Sequence, residues 1–343
     1  MTERDLRLGF FTNVDGEGSA KAKYDQAIEL FVAAEELGYD SVWVAQSHFH
    51  GHGGLPAPFV FLSAVAQRTS RIRIGTALVV LPVEDPLRVA EDASVLDVMS
   101  GGRLQLGVGK GWEARTFEAF GRDIERRTDS YQEALGALLH ALEGKPIGST
   151  DARLFPTSES LSQRIWEGTL TDANAEEIGR RGHGLLVGRI AVGEGDGDTG
   201  QRQEPMVDKY LRGANSAGRQ PRVAVSRSIY PAADRATAFK DLASGVENYA
   251  TKFRSHGYGS EDLSLQEYFT LANIHYGHPE EILSSLGSDP VMAQATDLLC
   301  EVQPGEPNHT QTLRALELTA TEVAPALGWI PAHRRQPSFS SAF

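Results

Sequence analysis

The stretch that decides the fold is Arg71–Gly121, RIRIGTALVVLPVEDPLRVAEDASVLDVMSGGRLQLGVGKGWEARTFEAFG. Ile72 and Ile74 lead into a continuous apolar run from Ala77 to Leu81, the pattern of a strand buried on both faces of a parallel sheet. Pro82 has no N–H to give a ladder. Asp85-Pro86 then supplies a side-chain acceptor and a proline preset for the first helical position. Val89, Ala93, Leu96 and Met99 fall on one face of the helix that follows, and Gly101-Gly102 stops it. Leu104, Leu106 and Val108 alternate along the next strand, which opens into Gly107-x-Gly109-Lys110-Gly111. The whole is a βαβ unit with a flexible cationic loop at the carboxyl end of its second strand. Parallel barrels and open sheets place their ligands at that end.

Outward from this unit the same alternation continues. Strands are expected near residues 6, 41, 72, 104, 165, 184, 222 and 298. Helical spacing lies between them, over Lys21–Leu37, Phe59–Arg68, Ser130–Leu142, Asp172–Arg181, Met206–Ala214, Ala233–His256, after Pro279 and over Thr310–Leu327. Eight βα units predict a closed (β/α)8 barrel more naturally than a doubly wound sheet. The chain has 343 residues, more than the ~250 of a plain barrel, which fits one domain over 1–343 with loop insertions. The acidic, glycine-rich segment 193–205, GEGDGDTGQRQEP, is expected to be a mobile insertion.

Bulk properties exclude several classes of function. With 33 basic and 46 acidic residues the net charge is −13, which disfavours general binding to nucleic acid or anionic membrane. The single cysteine, Cys300, can form neither an intrachain disulfide nor a cysteine zinc site. The N-terminus shows no targeting pattern and no apolar run is long enough to span a membrane, so a cytoplasmic location is expected.

The motifs Ile74-Gly75-Thr76-Ala77, Val79-x-Leu81-Pro82, Pro86-x-Arg88-x-Ala90-Glu91, Leu96-Asp97, Ser100-x-Gly102-Arg103 and Leu106–Gly111 form a long gapless block. Together they resemble the bacterial luciferase-like family of flavin-dependent monooxygenases, with weaker echoes along the chain. The resemblance implies a (β/α)8 barrel that binds reduced flavin mononucleotide (FMN) non-covalently. It also implies oxygenation of a small organic substrate with O2. No G-x-G-x-x-G stands in a βαβ setting, which points to a separate reductase that delivers the reduced flavin. A deazaflavin-dependent hydride-transfer enzyme is the alternative within the fold, and a flavin-binding protein without turnover is the alternative outside catalysis. Relatives commonly form homodimers, and the Val89, Ala93, Leu96, Met99 face is the candidate contact, although such a face also packs on a barrel.

Candidate site residues follow from this reading. Gly109 and Lys110 lie in a loop suited to a phosphate, and in the resembled family the matching basic residue contacts the FMN phosphate. A solvated surface lysine is the plain alternative. Glu167-Gly168-Thr169-Leu170-Thr171 is a small-residue turn leading into a helix, a ready anion site or simply a helix cap. The family places a Glu-Ser turn and a threonine there; Glu167 and Thr171 match, while Gly168 replaces the serine. A non-proline cis peptide at Ala77-Leu78, backing the flavin ring, is implied by the resemblance alone. Where the family often has Glu-His-His-Phe, this chain has Gln46-Ser47-His48-Phe49. The first imidazole is absent and His48 is left as the catalytic candidate, set against an ordinary structural role. His48-x-His50-x-His52 raises a metal-hydrolase reading, but it follows the second strand and finds no further histidine at the ends of the fifth or sixth.

Overall fold

The computed structural model describes residues 6–16, 18–49, 54–158, 160–191, 197–255 and 262–335. Ten strands are present among them: β1 (Arg7–Thr12), β2 (Ser41–Val44), β3 (Arg73–Thr76), β4 (Val79–Val80), β5 (Leu104–Gly109), β6 (Ile165–Gly168), β7 (Gly184–Val187), β8 (Val223–Pro231), β9 (Ile274–Gly277) and β10 (Asp297–Glu301). All pair in parallel in the order β10-β1-β2-β3-β5-β6-β7-β8, and β10 also pairs with β8, so the sheet closes. The eight staves are β1, β2, β3 continued by β4, β5, β6, β7, β8 and β10, wrapped by helices. The eight expected strand positions coincide with these staves.

Two features depart from the sequence reading. β9 lies in a stretch with no expected strand. β8 is nine residues long: Ser228 still pairs with Glu301 of β10, and Ser228–Pro231 also pair with β9, carrying the strand beyond the barrel ladder. This pair covers a separate small core of Tyr230, Leu242, Val246, Phe269 and Tyr276. The other departure is at the acidic insertion. Residues 192–196 lie outside the described set, but a helix begins at Thr199, not Met206, and runs to Ser216. Asp198 accepts from the Gln201 N–H at 2.9 Å while the Gln201 side chain accepts from the Asp198 N–H at 3.0 Å. That capping box satisfies the first-turn donors and extends the helix into the segment expected to be loose.

Residue parity along the staves separates two layers. Leu8, Phe10, Val42, Val44, Ile74, Leu104, Leu106, Val225 and Leu298 join the large core between barrel and helices. Trp43, Trp166, Leu186, Ala224 and Leu299 fill the barrel interior. The two indoles meet edge to face, 5.6 Å apart at 89°. Their space is cleared by Gly75 and Gly184, where a Cβ would overlap the Trp43 and Trp166 rings respectively. The tryptophans plug the barrel and divide its two ends.

Candidate active site

The carboxyl end of the barrel is built around Leu78. The Ala77–Leu78 peptide is cis, as the resemblance implied. β5 and β6 place Gly109 opposite Gly168 in register, and a Cβ on either would overlap the Leu78 side chain. These two glycines therefore make room for Leu78 against the barrel wall. The flexible reading of the Gly107–Gly111 loop is corrected at two positions. Gly107 lies where a Cβ would strike the Thr76 carbonyl, and the Thr76 hydroxyl bridges the diverging strands, donating to the Gly107 carbonyl at 2.8 Å and accepting its N–H at 2.9 Å. Gly111, at φ +69°, carries the turn out of the strand.

Lys110 emerges next, half-buried. No carboxylate among the described residues lies within salt-bridge distance of it, and its charged neighbour is another cation, Arg127. Burial first, and then the Arg127 charge, depresses the Lys110 ammonium below its ordinary range. Arg127 heads the helix Arg127–Leu142, and among the described residues its guanidinium donates only to the Ile124 carbonyl, at 3.0 Å. Two neighbouring cations without a counter-charge among the described residues form a site that an anion would stabilise.

The rest of the expected phosphate cradle divides. Thr169 donates to the Thr171 carbonyl at 2.9 Å and accepts the Thr171 N–H at 3.2 Å, a closed local turn. Thr171 is exposed and caps nothing, so its hydroxyl is available. Asp172 accepts from Lys209 at 2.6 Å. Glu167 points away from the mouth, into the layer between barrel and helices. Its buried carboxylate accepts from Tyr131 at 2.7 Å, from Arg181 Nε at 3.0 Å and from His183 Nδ1 at 2.8 Å. Burial pushes that carboxyl upward, but His183, Arg181 and Tyr131 outweigh it and hold it below the ordinary range. The Glu167 side chain thus locks β6 to two helices, leaving only its backbone to the mouth.

After β2, the Gln46 amide clamps the mouth: it accepts the Val80 N–H at 2.7 Å and donates to Glu84 at 2.6 Å. His48 is 7% exposed. It packs edge-on to Phe120 at 4.9 Å and against Phe49 at 5.8 Å. The remaining histidines of the metal reading, His50 and His52, lie outside the described residues.

A polar group outside the candidate site residues faces the same mouth from the opposite wall; in sequence its Glu301 is weighed only as a metal ligand and set aside. Ser226 and Glu301 share the inward parity of Ala224 and Leu299 on β8 and β10. Ser226 donates to Glu301 Oε1 at 2.6 Å, and Arg189 Nε lies 3.6 Å from Oε2. Burial raises the Glu301 carboxyl, against the opposing pull of Arg189 and the Ser226 hydroxyl. The one signal available in sequence was a carboxylate ending an otherwise apolar strand, Leu298–Glu301. β5 and β10 are four staves apart in an eight-stave ring, so Lys110 and Glu301 stand on opposite sides of the mouth.

A closed parallel barrel with a cation pair on one side of its carboxyl face and a buried acid on the other is a ligand-binding (β/α)8 architecture. The chain belongs to the luciferase-like monooxygenase family, whose model matches residues 6–279. It is therefore a luciferase-like, flavin-dependent oxidoreductase. It is 26% identical over 329 residues to an uncharacterised protein of Sinorhizobium fredii, covering 88% of this chain and 91% of that one. It is 28% identical over 165 residues to the oxygenase component of a flavin-dependent trigonelline monooxygenase of Acinetobacter baylyi, covering 47% of this chain and 46% of that protein. Among solved structures, a monooxygenase of Streptomyces bottropensis superposes with a TM-score of 0.79 at 24% identity, over 93% of this chain and 99% of that one. A coenzyme F420-dependent tetrahydromethanopterin reductase of Methanopyrus kandleri shares the fold at a TM-score of 0.71 and 19% identity, over 94% and 99%.

Proposed function

We propose that this protein is the oxygenating component of a two-component monooxygenase, using reduced FMN and O2 to oxygenate a small organic substrate. The observation that carries the reading is that Lys110 and Arg127, two half-buried cations close enough for the charge of one to be felt by the other, have no carboxylate partner among the described residues. An FMN phosphate dianion supplies the missing charge, with Thr171 and the backbone of Gly109, Glu167, Gly168 and Thr169 completing the cradle. Ala77–Leu78 backs the ring. Reduced flavin, when bound, supplies the electrons that activate O2. The protein orients it, keeps water out through the plugged barrel, and moves protons. His48 takes the acid–base role on the β2 wall in place of the imidazole absent at Ser47, and Glu301 faces substrate from the far wall. The relative named as an oxygenase component supports a separate reductase as partner. A homodimer is part of the proposal.

The test is a pair of binding titrations with reduced FMN and reduced riboflavin under anaerobic conditions. A charge-assisted contact contributes about 1.5–3 kcal/mol, so Lys110→Ala should weaken FMN roughly 10- to 150-fold. Riboflavin has no phosphate and should change little. Equal weakening of both would mean that Lys110 acts through loop structure. Tight binding of a deazaflavin with none of FMN would move the assignment to hydride transfer. Binding of FMN without O2-dependent flavin oxidation coupled to any product would leave a flavin carrier.

A further inference from the structure

The barrel has a second polar concavity, at its amino-terminal face. Inward parity brings Arg7 on β1, Arg73 on β3, Gln105 on β5 and Arg222, just before β8, to the layer beneath Trp166. They line a cavity of about 380 Å³ together with Asp40 and Arg164. This is a volume in the range of small-molecule sites.

The charges here do not cancel. Arg164 is closed by a two-point pair with Asp97, both contacts 2.8 Å. Asp40 is occupied by Arg335 at 2.7 Å, by the Trp329 indole N–H at 2.9 Å and by the Leu8 N–H at 2.9 Å. Asp297 accepts from Arg73 at 3.3 Å and from Thr296 at 2.8 Å. Arg7 and Arg222 are left without a carboxylate partner among the described residues. Arg222 donates to the Ile165 and Gly182 carbonyls at 3.0 and 3.3 Å and lies 4.8 Å over the Trp166 ring, so its plane is fixed. The Gln105 Oε1 accepts the Trp166 indole N–H at 3.0 Å, which leaves its amide nitrogen as a donor at the cavity wall.

We propose that this amino-face cavity binds a small phosphate-bearing dianion, held by Arg7, Arg73, Arg222 and the Gln105 amide. Guanidinium forks match phosphate oxygens in pairs, and two uncompensated positive charges match a dianion. The indole plug separates this site from the carboxyl mouth, so it is distinct from any flavin phosphate site. Burial, with Arg7 and Arg73 adding positive charge nearby, lowers the Arg222 guanidinium pKa, which Asp297 and Tyr210 only partly restore.

The experiment is isothermal titration of the full chain, free of flavin and at low ionic strength, with inorganic phosphate and with phenyl phosphate. Saturable binding is expected to persist in Lys110→Ala, which takes the anion from the mouth, as one equivalent per chain, and to be weakened at least tenfold when Arg7→Gln is added in that background. The Arg7 side chain holds no group among the described residues and adds to the positive charge around Arg222, so Arg7→Gln should not lower the melting temperature of the ligand-free protein. Arg222→Lys, which removes the stacked fork, should weaken binding as well; should it fail to fold, Arg7→Gln still decides. Tighter binding of phenyl phosphate would assign the site to a phosphate ester, equal binding to the free ion. Binding lost in Lys110→Ala but kept in Arg7→Gln would put the anion at the mouth and overturn the proposal. So would the absence of saturable binding with either probe.

Discussion

Glu167 and His275 give the molecule two acid-sensitive points with separate pH windows. Glu167 sits among Tyr131, Arg181 and His183, and its carboxyl is held below the ordinary value of 4.5. A group depressed on folding stabilises the native state above its unfolded pKa, and that contribution drains away as pH falls through the folded one. Glu167→Gln should therefore flatten stability against pH below about 4.5. At neutral pH it should cost about 3–5 kcal/mol, because Arg181 and His183 are left facing a neutral amide. His275, on β9, hydrogen-bonds Ser285 at 2.8 Å and is otherwise enclosed. Burial, then the Arg227 charge, push its pKa from 6.5 down to about 4, against Asp289. The folded state holds it neutral while the unfolded chain protonates, so stability should fall as pH drops from 6.5 to 4. The loss should reach about 3 kcal/mol, and it should be missing from His275→Gln. Urea unfolding across both windows reads the two residues separately; a flat native curve between pH 6.5 and 4 would refute the His275 account.

At the scale of elements, the helix Pro86–Met99 shows what sequence could and could not decide. Asp85 caps it, accepting from the Leu87 and Arg88 N–H groups at 2.8 and 3.2 Å, where the Asp-Pro pair predicts a start. Its apolar face was a candidate dimer contact, but Val89, Ala93 and Leu96 are buried in this chain's own core, which corrects that assignment. Periodicity finds an apolar face and cannot say what covers it. Of the candidate face Met99 alone is exposed, and Val95 and Val98 are exposed beside it, with Val60 at 73% exposure on the neighbouring helix Pro58–Arg68. If the proposed homodimer uses this second face, Val98→Asp should convert it to a monomer in sedimentation without lowering the melting temperature of the protomer. A dimer that survives the substitution would exclude this face. Similar limits explain the other misses. The staves were legible because strands buried on both faces are continuously apolar and bounded by caps and glycines. β9 was not, because Ile274–Gly277 is short and its partner is the far end of β8. Lys110 was legible from a local loop. Arg127 beside Lys110 depends on how the following helix packs back on the strand, while the Ser226–Arg189–Glu301 group and the amino-face arginines come from staves far apart in sequence that barrel closure brings together.

For the whole molecule, the decisive contrast is between the packed inside of the barrel and its helical shell, and glycine reports it. Gly75 faces the Trp43 ring, and Trp43 cannot step aside: its indole N–H donates to Ser41 at 2.8 Å and its edge meets Trp166. A methyl group there must displace a plug that every stave touches. Gly136 lies exposed in the helix Arg127–Leu142, and nothing lies within 4 Å of the place a Cβ would take. There a methyl group only removes backbone freedom from the unfolded chain. The same substitution should therefore have opposite signs: Gly75→Ala should destabilise by about 1–3 kcal/mol through overpacking, and Gly136→Ala should stabilise by about 0.5–1 kcal/mol. Denaturant midpoints of the two variants, measured at constant m-value, check this. A neutral Gly75→Ala would mean that the tryptophan plug yields, and with it the separation of the two ends on which both anion sites depend.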